Sequence, residues 1–375
     1  MLKSILYLPD GYFTGMLAWL VGLVVAMWLL VKARRWVSER SKQLVHAGLS
    51  AWILLSALTG VELYYALVYD TTDSFSMTNV SKKWFAMHVE PYERPLRLGS
   101  GRGILYRDDH ELPMQPVDKD HEHVVFVGDS FTFGHGVRRV ADRFSNRLAL
   151  ELESRSPGRH TITNLSNTGV DLHWAERLLE ELFKTRVPVD RVVYVVCLND
   201  IETFHERHKT YYVDLQQHAP RFFLWRDTYF FNLMYFRLRQ FTVPDFRDYY
   251  QFVREYYDGD PWREMTRKLD SVGRMCRDRD VRFDVVVFPF LHNLGPDYPF
   301  RDVHAQWRAW GQESGHEVVD LLETLEPHVD KGLVVNRYDA HPNELAHRLV
   351  ADALAAGLFA GKRRPVGSPE TRPGR

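Results

Sequence analysis

The distribution of apolar residues divides the chain into a membrane-like beginning and a longer part with alternating patterns. Residues 12–31 form a run of twenty residues without a charge, YFTGMLAWLVGLVVAMWLLV. A helix rises about 1.5 Å per residue, so this run matches a hydrocarbon core about 30 Å thick. A second apolar stretch, residues 44–69, is interrupted only by His46 and Glu62. Glu62 is either an intramembrane functional carboxylate or, as we expect, a side chain near the end of the span that reaches the membrane interface. The pattern predicts a transmembrane helical hairpin over residues 1–70.

The charges that flank the first span indicate its orientation. The connecting loop carries five Lys or Arg residues against one acid, whereas the first eleven residues carry one lysine and one aspartate. Because Lys and Arg are enriched in cytoplasmic loops, this loop is predicted to be cytoplasmic. A cleavable signal peptide would carry its positive charges before the apolar run, but here Lys32, Arg34 and Arg35 follow it. We therefore expect an integral membrane protein in which everything after residue 69 is extracytoplasmic.

Beyond residue 120, short β-branched runs alternate with helical patterns. The predicted strands are 124–128, 161–165, 191–198, 282–290 and 316–322, and the predicted helices are 138–154, 172–185, 262–279, 301–313 and 343–360. Near-continuous apolar strands separated by amphipathic helices imply a parallel sheet covered on both faces. The predicted fold class is therefore α/β, and functional residues are expected beyond the carboxyl ends of the strands.

Three further segments complete the predicted organisation. Residues 71–120 are rich in charge, proline and glycine, and they are interpreted as a juxtamembrane segment with short extended pieces. Between residues 204 and 257, 18 of 54 residues are aromatic, against 13% in the whole chain. An insertion of this size forms either a lid over a site or a small helical subdomain whose aromatic side chains pack together. Residues 362–375 have the composition of a disordered tail, which leaves residues 121–361 as the α/β domain.

Composition narrows the classes of function. The chain has 48 Lys plus Arg against 49 Asp plus Glu and no dense basic stripe, which excludes the electrostatic footprint of a nucleic-acid-binding protein. Cys197 and Cys276 lie 79 positions apart, outside any CxxC motif or Cys/His cluster, so they supply no zinc ligand set. Two buried free thiols are favoured over one long-range disulfide. We predict chemistry without a metal or a cofactor.

Four short motifs lie where such a sheet would carry its site. They are Gly128-Asp129-Ser130, Asn167-Thr168-Gly169, Leu198-Asn199-Asp200 and Asp339-Ala340-His341-Pro342-Asn343. A serine at a strand-to-helix turn is exposed and lies near helix amides that stabilise negative charge. Ser130 is the predicted nucleophile, His341 its base, and Asp339 the acid that orients the imidazole. The chain order Ser, Asp, His is known for hydrolytic triads on α/β sheets.

The oxyanion that develops during acyl transfer needs hydrogen-bond donors placed in advance. The predicted donors are the backbone amides of Ser130 and Gly169 and the side-chain amide of Asn199. Glycine suits a loop whose backbone must approach a substrate closely. Asp129 is expected to brace the serine turn through backbone amides, whereas His135, His173 and His347 are interpreted as structural or surface histidines. Each motif alone is common, but together and in this order they indicate one site.

These motifs resemble those of the SGNH (GDSL-like) esterase and acyltransferase superfamily. The resemblance covers about residues 121–361 and leaves the hairpin outside it. It implies a flavodoxin-like three-layer α/β/α sandwich and a serine mechanism without metal. The matching positions are Ser130, Gly169, Asn199, Asp339 and His341.

The chain departs from the family pattern at the acid. The family usually has two residues between the acid and the histidine, whereas here only Ala340 separates Asp339 from His341. Tyr338 stands where the acid would normally be. Variants with the D-x-H-P-N spacing exist, so Asp339 is kept as the orienting acid. A dyad in which a backbone carbonyl orients the histidine is the alternative.

The sequence thus predicts a membrane-anchored, extracytoplasmic serine esterase or O-acyltransferase, for example an O-acetyltransferase. Its expected substrate is an acylated glycan of an envelope or exported polysaccharide, because aromatic faces stack on sugars. Acyl chains would suit the aromatic insertion equally, so a lipid esterase or thioesterase is the second hypothesis. A non-catalytic glycan-binding factor of polysaccharide export is the third. The expected partners are the ester substrate, the lipid bilayer through the hairpin and polysaccharide-assembly proteins, with no nucleic acid.

Overall fold

The computed structural model describes most of the chain, and the chain divides into two compact units. The described residues are 5–36, 39–101, 103–114, 120–206, 215–243 and 247–360. Unit 1 consists of Met1–Met87 and Asp214–Arg247, and unit 2 of His88–Val213 and Asp248–Arg375. The predicted tail, residues 362–375, lies outside the described residues.

The secondary-structure elements are numbered along the chain. The helices are α1 (Asp10–Arg34), α2 (Glu39–Leu67), α3 (Asn79–His88), α4 (Ser130–Phe133), α5 (Phe144–Arg155), α6 (Leu172–Leu182), α7 (Phe223–Arg226), α8 (Phe230–Thr242), α9 (Tyr249–Tyr256), α10 (Asp260–Arg277), α11 (Arg301–Ser314), α12 (Leu322–Leu325) and α13 (Glu344–Ala356). The strands are β1 (Glu93–Arg97), β2 (Gly103–Arg107), β3 (Glu122–Gly128), β4 (His160–Asn164), β5 (Arg191–Cys197), β6 (Arg282–Phe288), β7 (Glu317–Asp320), β8 (Val334–Asn336) and β9 (Asp339–Pro342).

A five-stranded parallel sheet forms the centre of unit 2. Its strand order is β4-β3-β5-β6-β7, which is the flavodoxin-like order. Phe126 on β3 lies opposite Asn164 on β4 and Val193 on β5. The middle strands are buried along almost their whole length because helices cover both faces, as their continuous apolar runs require. The predicted α/β fold and its five strands are confirmed.

The differences from the predicted boundaries have local causes. The last strand of the sheet ends at Asp320, earlier than predicted, because the Asp320 carboxylate accepts from the Leu322 N–H and starts a short helix. The last helix begins after Asn343, whose side-chain oxygen caps the amides of Leu345 and Ala346. The antiparallel pair β8–β9 was not predicted, because its strands are only three and four residues long. That pair carries the acid and the histidine of the candidate site.

The juxtamembrane segment contains more regular structure than predicted. Helix α3 precedes the antiparallel pair β1–β2, in which Glu93 lies opposite Arg107. The buried guanidinium of Arg107 donates to the carbonyls of Gly134 and Val137. Arg107 therefore supports the loop that follows the serine turn. Both cysteines are buried free thiols, as expected.

Unit 1 contains two helices that are long and apolar enough to cross a bilayer by length and composition. They are α1, Asp10–Arg34, and the greater part of α2, Lys42–Leu67. Side-chain hydrogen bonds join the two helices: Trp19 donates to the Thr59 hydroxyl over 2.9 Å and Trp52 to the Leu23 carbonyl over 2.8 Å. These bonds satisfy indole N–H groups that would otherwise remain unpaired in an apolar environment.

The C-terminal end of α2 is capped by a lysine from α3. The Lys83 ammonium donates to the carbonyls of Tyr65, Ala66 and Tyr69 over 2.8–2.9 Å. The last carbonyls of a helix have no partner within the helix, and a cation there also complements the helix dipole. Burial lowers the pKa of Lys83 to about 8.

The aromatic segment is divided between the two units. Residues 215–243 pack within unit 1, and α8 begins beside Glu62 of α2. The Glu62 carboxylate accepts from the N–H groups of Tyr229 and Phe230, over 2.7 and 2.8 Å, and from the Tyr12 hydroxyl over 3.0 Å. Only 2% of Glu62 is exposed, so this carboxylate is buried rather than extended into an interface. Its function in the fold is to satisfy the unpaired amides at the start of α8.

Replacement of Glu62 by glutamine is expected to loosen residues 215–243. A glutamine side chain has one acceptor oxygen, so it leaves at least one buried donor unsatisfied, at a cost of about 1–3 kcal/mol. The measurement is the rate of proteolysis within this segment, in the full-length protein in neutral detergent. Asp10→Asn, an exposed change in the same unit, is the matched control. Equal proteolysis of the two variants would contradict the anchoring function of Glu62.

Candidate active site

The serine turn follows directly from β3, an inner strand of the sheet between β4 and β5. Strand β3 ends at Gly128, and Asp129 caps α4 by accepting from the Phe131 N–H over 2.9 Å. A Cβ at Gly128 would lie 2.7 Å from the Val195 carbonyl oxygen, so the turn requires glycine there. Ser130 is half-buried at the first position of α4. As predicted, the Asp129 side chain holds the serine turn through a hydrogen bond from a backbone amide.

The structure brings Ser130, His341 and Asp339 into contact. His341 Nε2 is 2.8 Å from Ser130 Oγ, and His341 Nδ1 is 2.5 Å from Asp339 Oδ1. An ionised carboxylate only accepts hydrogen bonds, so Nδ1 carries the proton and Nε2 accepts from the serine hydroxyl. This is the geometry of a nucleophile, a base and an orienting acid.

The short spacing between acid and histidine is explained by β9. Alternate residues of an extended strand project to the same side, so Asp339 and His341 face the same way with Ala340 between them. Asp339 Oδ1 also accepts from the backbone N–H of His341 over 3.1 Å. The partner of Nδ1 is thus a carboxylate and not the backbone carbonyl of the alternative dyad.

His135, which was interpreted from the sequence as a structural or surface histidine, lies in the site. Its ring stacks on that of His341 with centroids 4.1 Å apart, and its Nε2 is 3.5 Å from Asp339 Oδ2. The chain reaches this position through Gly134 and Gly136, which both have positive φ. A histidine between two glycines, five residues after the serine, was the signal available in the sequence. His135 touches the acid and the base, so we regard it as a positioning residue.

The charges of the triad suit general base catalysis at neutral pH. Burial by itself would raise the pKa of Asp339, but His341 and His135 outweigh it and hold that pKa well below its usual range. Burial, aided by His135, lowers the pKa of His341, although Asp339 opposes the change. Asp339 is therefore ionised and His341 neutral, the state that can take a proton from a serine.

Gly169 and Asn199 follow the two strands that flank β3. Gly169 has a φ of +67°, which favours glycine, and open space lies where a Cβ would project. Asn199 belongs to the 3-10 turn Leu198–Phe204 that continues from β5. Its Oδ1 is buried without a hydrogen-bond partner in the described part of the chain. Because β4 and β5 lie on either side of β3, these two loops lie on either side of the serine turn. The role of Gly169 and Asn199 as oxyanion donors stays a prediction.

The other histidines considered in the sequence lie apart from the triad contacts. His347 is buried, and its Nδ1 accepts from the Phe144 N–H over 3.1 Å, which is a structural function. The His173 ring packs at a tilt against the Phe204 ring, with centroids 5.0 Å apart.

Two groups of described residues are close enough to hold a metal ion. They are His135 with Asp339 and His341, and Asp108 with Asp109 and His110. In the first group, both ring nitrogens of His341 are engaged by Ser130 and Asp339, so a metal would have to displace one of these contacts. In the second group, Asp108 pairs with the buried guanidinium of Arg143 at 3.2 Å.

Comparison with known proteins finds similarity in solved structures only. No family model matches the chain, and no curated protein matches it. An alpha/beta hydrolase from the metagenome of Lake Arreo is 16% identical with a TM-score of 0.39, over 63% of this chain and 94% of that one. A lipolytic protein of the G-D-S-L family from Veillonella parvula is 16% identical with a TM-score of 0.39, over 64% and 98%. A variant of an acetyl xylan esterase from Geobacillus stearothermophilus is 15% identical with a TM-score of 0.40, over 63% and 93%.

With identities of 15–16% and TM-scores of 0.39–0.40, these similarities carry no argument about this chain. The chemistry of the site therefore rests on its own geometry.

Proposed function

We propose that this protein is a membrane-anchored serine esterase or O-acyltransferase that forms an acyl-enzyme on Ser130. The observation that carries the proposal is the relay from Ser130 through His341 to Asp339, with contacts of 2.8 and 2.5 Å. A buried histidine that contacts both a serine hydroxyl and a carboxylate is arranged to move a proton. A non-catalytic glycan-binding protein would have no need of this relay.

The first half of the reaction forms the acyl-enzyme. His341 Nε2 takes the hydroxyl proton as Ser130 Oγ attacks the acyl carbonyl carbon, and the carbonyl electron pair moves onto oxygen. The amides of Ser130 and Gly169 and the side chain of Asn199 would stabilise that oxyanion, each donor contributing about a hundred- to a thousandfold in rate. His341 then returns the proton to the departing alkoxide, which leaves the acyl group as an ester on Ser130.

The second half transfers the acyl group to an acceptor. His341 takes a proton from water or from a sugar hydroxyl, whose oxygen attacks the acyl-serine carbonyl. Collapse of the intermediate releases Ser130, which regains its proton from His341. Asp339 stabilises the imidazolium in both halves. Hydrolysis and transfer share every residue named here and differ in whether water is excluded.

The hairpin supports an extracytoplasmic location for unit 2. Two helices of unit 1 have the length and composition of membrane spans, and the basic loop between them is predicted to be cytoplasmic. The acceptor would then be a molecule of the cell envelope, such as a polysaccharide.

Labelling with a fluorophosphonate probe tests the proposal. The full-length wild-type protein in neutral detergent is expected to label stoichiometrically, whereas Ser130→Ala is expected to remain unlabelled. Equal labelling of the two proteins would exclude Ser130 as the nucleophile. An acyl donor supplied with and without polysaccharide then separates the two activities, because a transferase converts donor into acylated sugar and an esterase into free acid.

The pH dependence of kcat/KM is expected to report the environment of His341. Burial lowers its pKa, so kcat/KM should fall only as the pH drops through a value below about 6.5, where the imidazole becomes protonated. His135→Asn removes the ring that helps to lower this pKa, so the acid limb should move to higher pH. His328→Asn, a change at a half-buried histidine outside the site, is the control. An acid limb that stays in place in His135→Asn would contradict the coupling of the two rings.

A further inference from the structure

Unit 2 contains a concave cavity of about 560 Å³. Part of its lining comes from the segments that follow Gly169 and Asn199 in the chain. Thr203 and Phe204 line it from the end of the turn that contains Asn199, and His173 lines it from the start of α6, four residues after Gly169. Its other wall is α10. The cavity therefore adjoins the segments that leave the carboxyl ends of β4 and β5, where ligands of such sheets bind.

The α10 wall of the cavity is positively charged. Arg267, Lys268 and Arg274 line it together with a single acid, Glu264. Lys268 is already paired with Glu176 at 2.6 Å. Arg267 and Arg274 make no side-chain hydrogen bond or ion pair within the part of the chain that the structure describes. They are seven residues apart, which sets them on the same face of the helix.

The opposite wall is aromatic. The ring of Phe204 packs against His173, and the ring of His205, another lining residue, stacks on Tyr256 with centroids 4.0 Å apart. Exposed arginines are common on helices, but here they face ring systems across a cavity of ligand size. Guanidinium groups match carboxylates in geometry, and ring faces stack on sugars.

We propose that this cavity binds the carboxylate groups of an anionic polysaccharide, the substrate or acceptor for acyl transfer at Ser130. The inference deepens the proposed function and rests on it. A uronate-type sugar offers both features that the cavity can recognise, a carboxylate for Arg267 and Arg274 and a ring face for the aromatic wall. The near-neutral chain without a dense basic stripe disfavours nucleic acid as the ligand.

Binding of oligogalacturonate to the full-length Ser130→Ala protein tests the inference. Ser130→Ala prevents turnover, so calorimetry in neutral detergent measures binding alone. The matched ligand is the same oligosaccharide with its carboxylates methyl-esterified, which keeps the sugar rings and removes the charge. We expect the charged ligand to bind and the esterified one to bind at least tenfold more weakly.

Variants of α10 identify the surface that binds. Arg274→Gln and Arg267→Gln are each expected to weaken binding about fivefold, the value of an exposed guanidinium–carboxylate pair. Arg277→Gln is the matched control, because Arg277 is exposed on the same helix and lies outside the cavity. Equal weakening by Arg277→Gln and Arg274→Gln would overturn the inference, as would equal binding of the two oligosaccharides.

Competition experiments separate a glycan site from other anion sites. Displacement of the oligosaccharide by equimolar inorganic phosphate or galacturonic acid monomer would mean an adventitious anion only. Arginine-dependent binding of single-stranded DNA or of anionic phospholipid vesicles at the same affinity would also overturn the inference. Binding is measured in the variant that lacks the nucleophile. A failure of the binding site can therefore be distinguished from a failure of the proposed function. A protein that binds the glycan but never labels at Ser130 would refute the acyl-enzyme while the binding site stands.

Discussion

Replacement of Ser130 by alanine is expected to lower kcat for a small activated ester by roughly 10⁴- to 10⁶-fold. The variant keeps the oxyanion donors and His341, but no atom is left to carry the acyl group. The remaining rate would come from water activated by His341 or from stabilisation of the oxyanion alone. Stopped-flow measurement of product release in the full-length protein gives kcat, and the amplitude of the burst reports the acyl-enzyme.

Ser154→Ala is the control for this substitution. Ser154 is an exposed serine of α5 whose hydroxyl donates to the Glu151 carbonyl within its own helix. Its loss is expected to leave both the burst and the steady-state rate unchanged. A Ser130→Ala protein with a loss of less than tenfold would mean that another group carries the acyl transfer.

Replacement of Asp339 by asparagine is expected to lower kcat about 10³- to 10⁴-fold with little change in volume. The asparagine amide can donate to Nδ1, which favours the tautomer with the proton on Nε2. In that tautomer, Nε2 can no longer accept the proton of Ser130. The carboxylate that stabilises the imidazolium is lost as well, so the rate of fluorophosphonate labelling should fall in parallel with kcat.

The chain contains a matched control for the acid. Asp320 accepts from His304 Nδ1 over 2.6 Å, so it forms a buried carboxylate–histidine pair elsewhere in unit 2. Asp320→Asn and Asp339→Asn are both expected to lower thermal stability, but Asp320→Asn is expected to leave kcat of the folded protein unchanged. Comparable losses of kcat in the two variants would mean that Asp339 acts through stability and not through His341.

The α/β core was predictable because strands that are buried on both faces of a sheet have apolar residues at nearly every position. Strands such as residues 191–197 are apolar at almost every position, and the helices between them are amphipathic. The serine turn was predictable for a related reason, since glycine, a capping aspartate and a nucleophile meet at one strand end. The relay to His341 was inferred from motif order, and the structure brings the two side chains together across 211 positions.

Other features depend on contacts that leave no local pattern. His135 resembles any other histidine in the sequence, and only the stacking on His341 and the contact with Asp339 reveal its position in the site. Glu62 looked like an imperfection of an apolar stretch, yet it anchors a helix 167 positions away. The aromatic segment 204–257 looked like one insertion, but its residues 215–243 belong to unit 1 and its end to unit 2.

Local chemistry therefore determined the α/β class, the apolar hairpin and the candidate nucleophile, base and acid, because hydrophobic periodicity and turn residues act over short distances. Tertiary packing determined which carboxylate contacts the candidate base, which second imidazole stacks on it, and that the arginines of α10 line a cavity together with aromatic rings. These outcomes require side chains from distant segments to come within about 3–5 Å of one another, the range over which hydrogen bonds and ring contacts act. Patterns of neighbouring residues do not indicate which distant side chains come this close. The contacts of Asp339 with both His341 and His135 are therefore visible only in the folded structure.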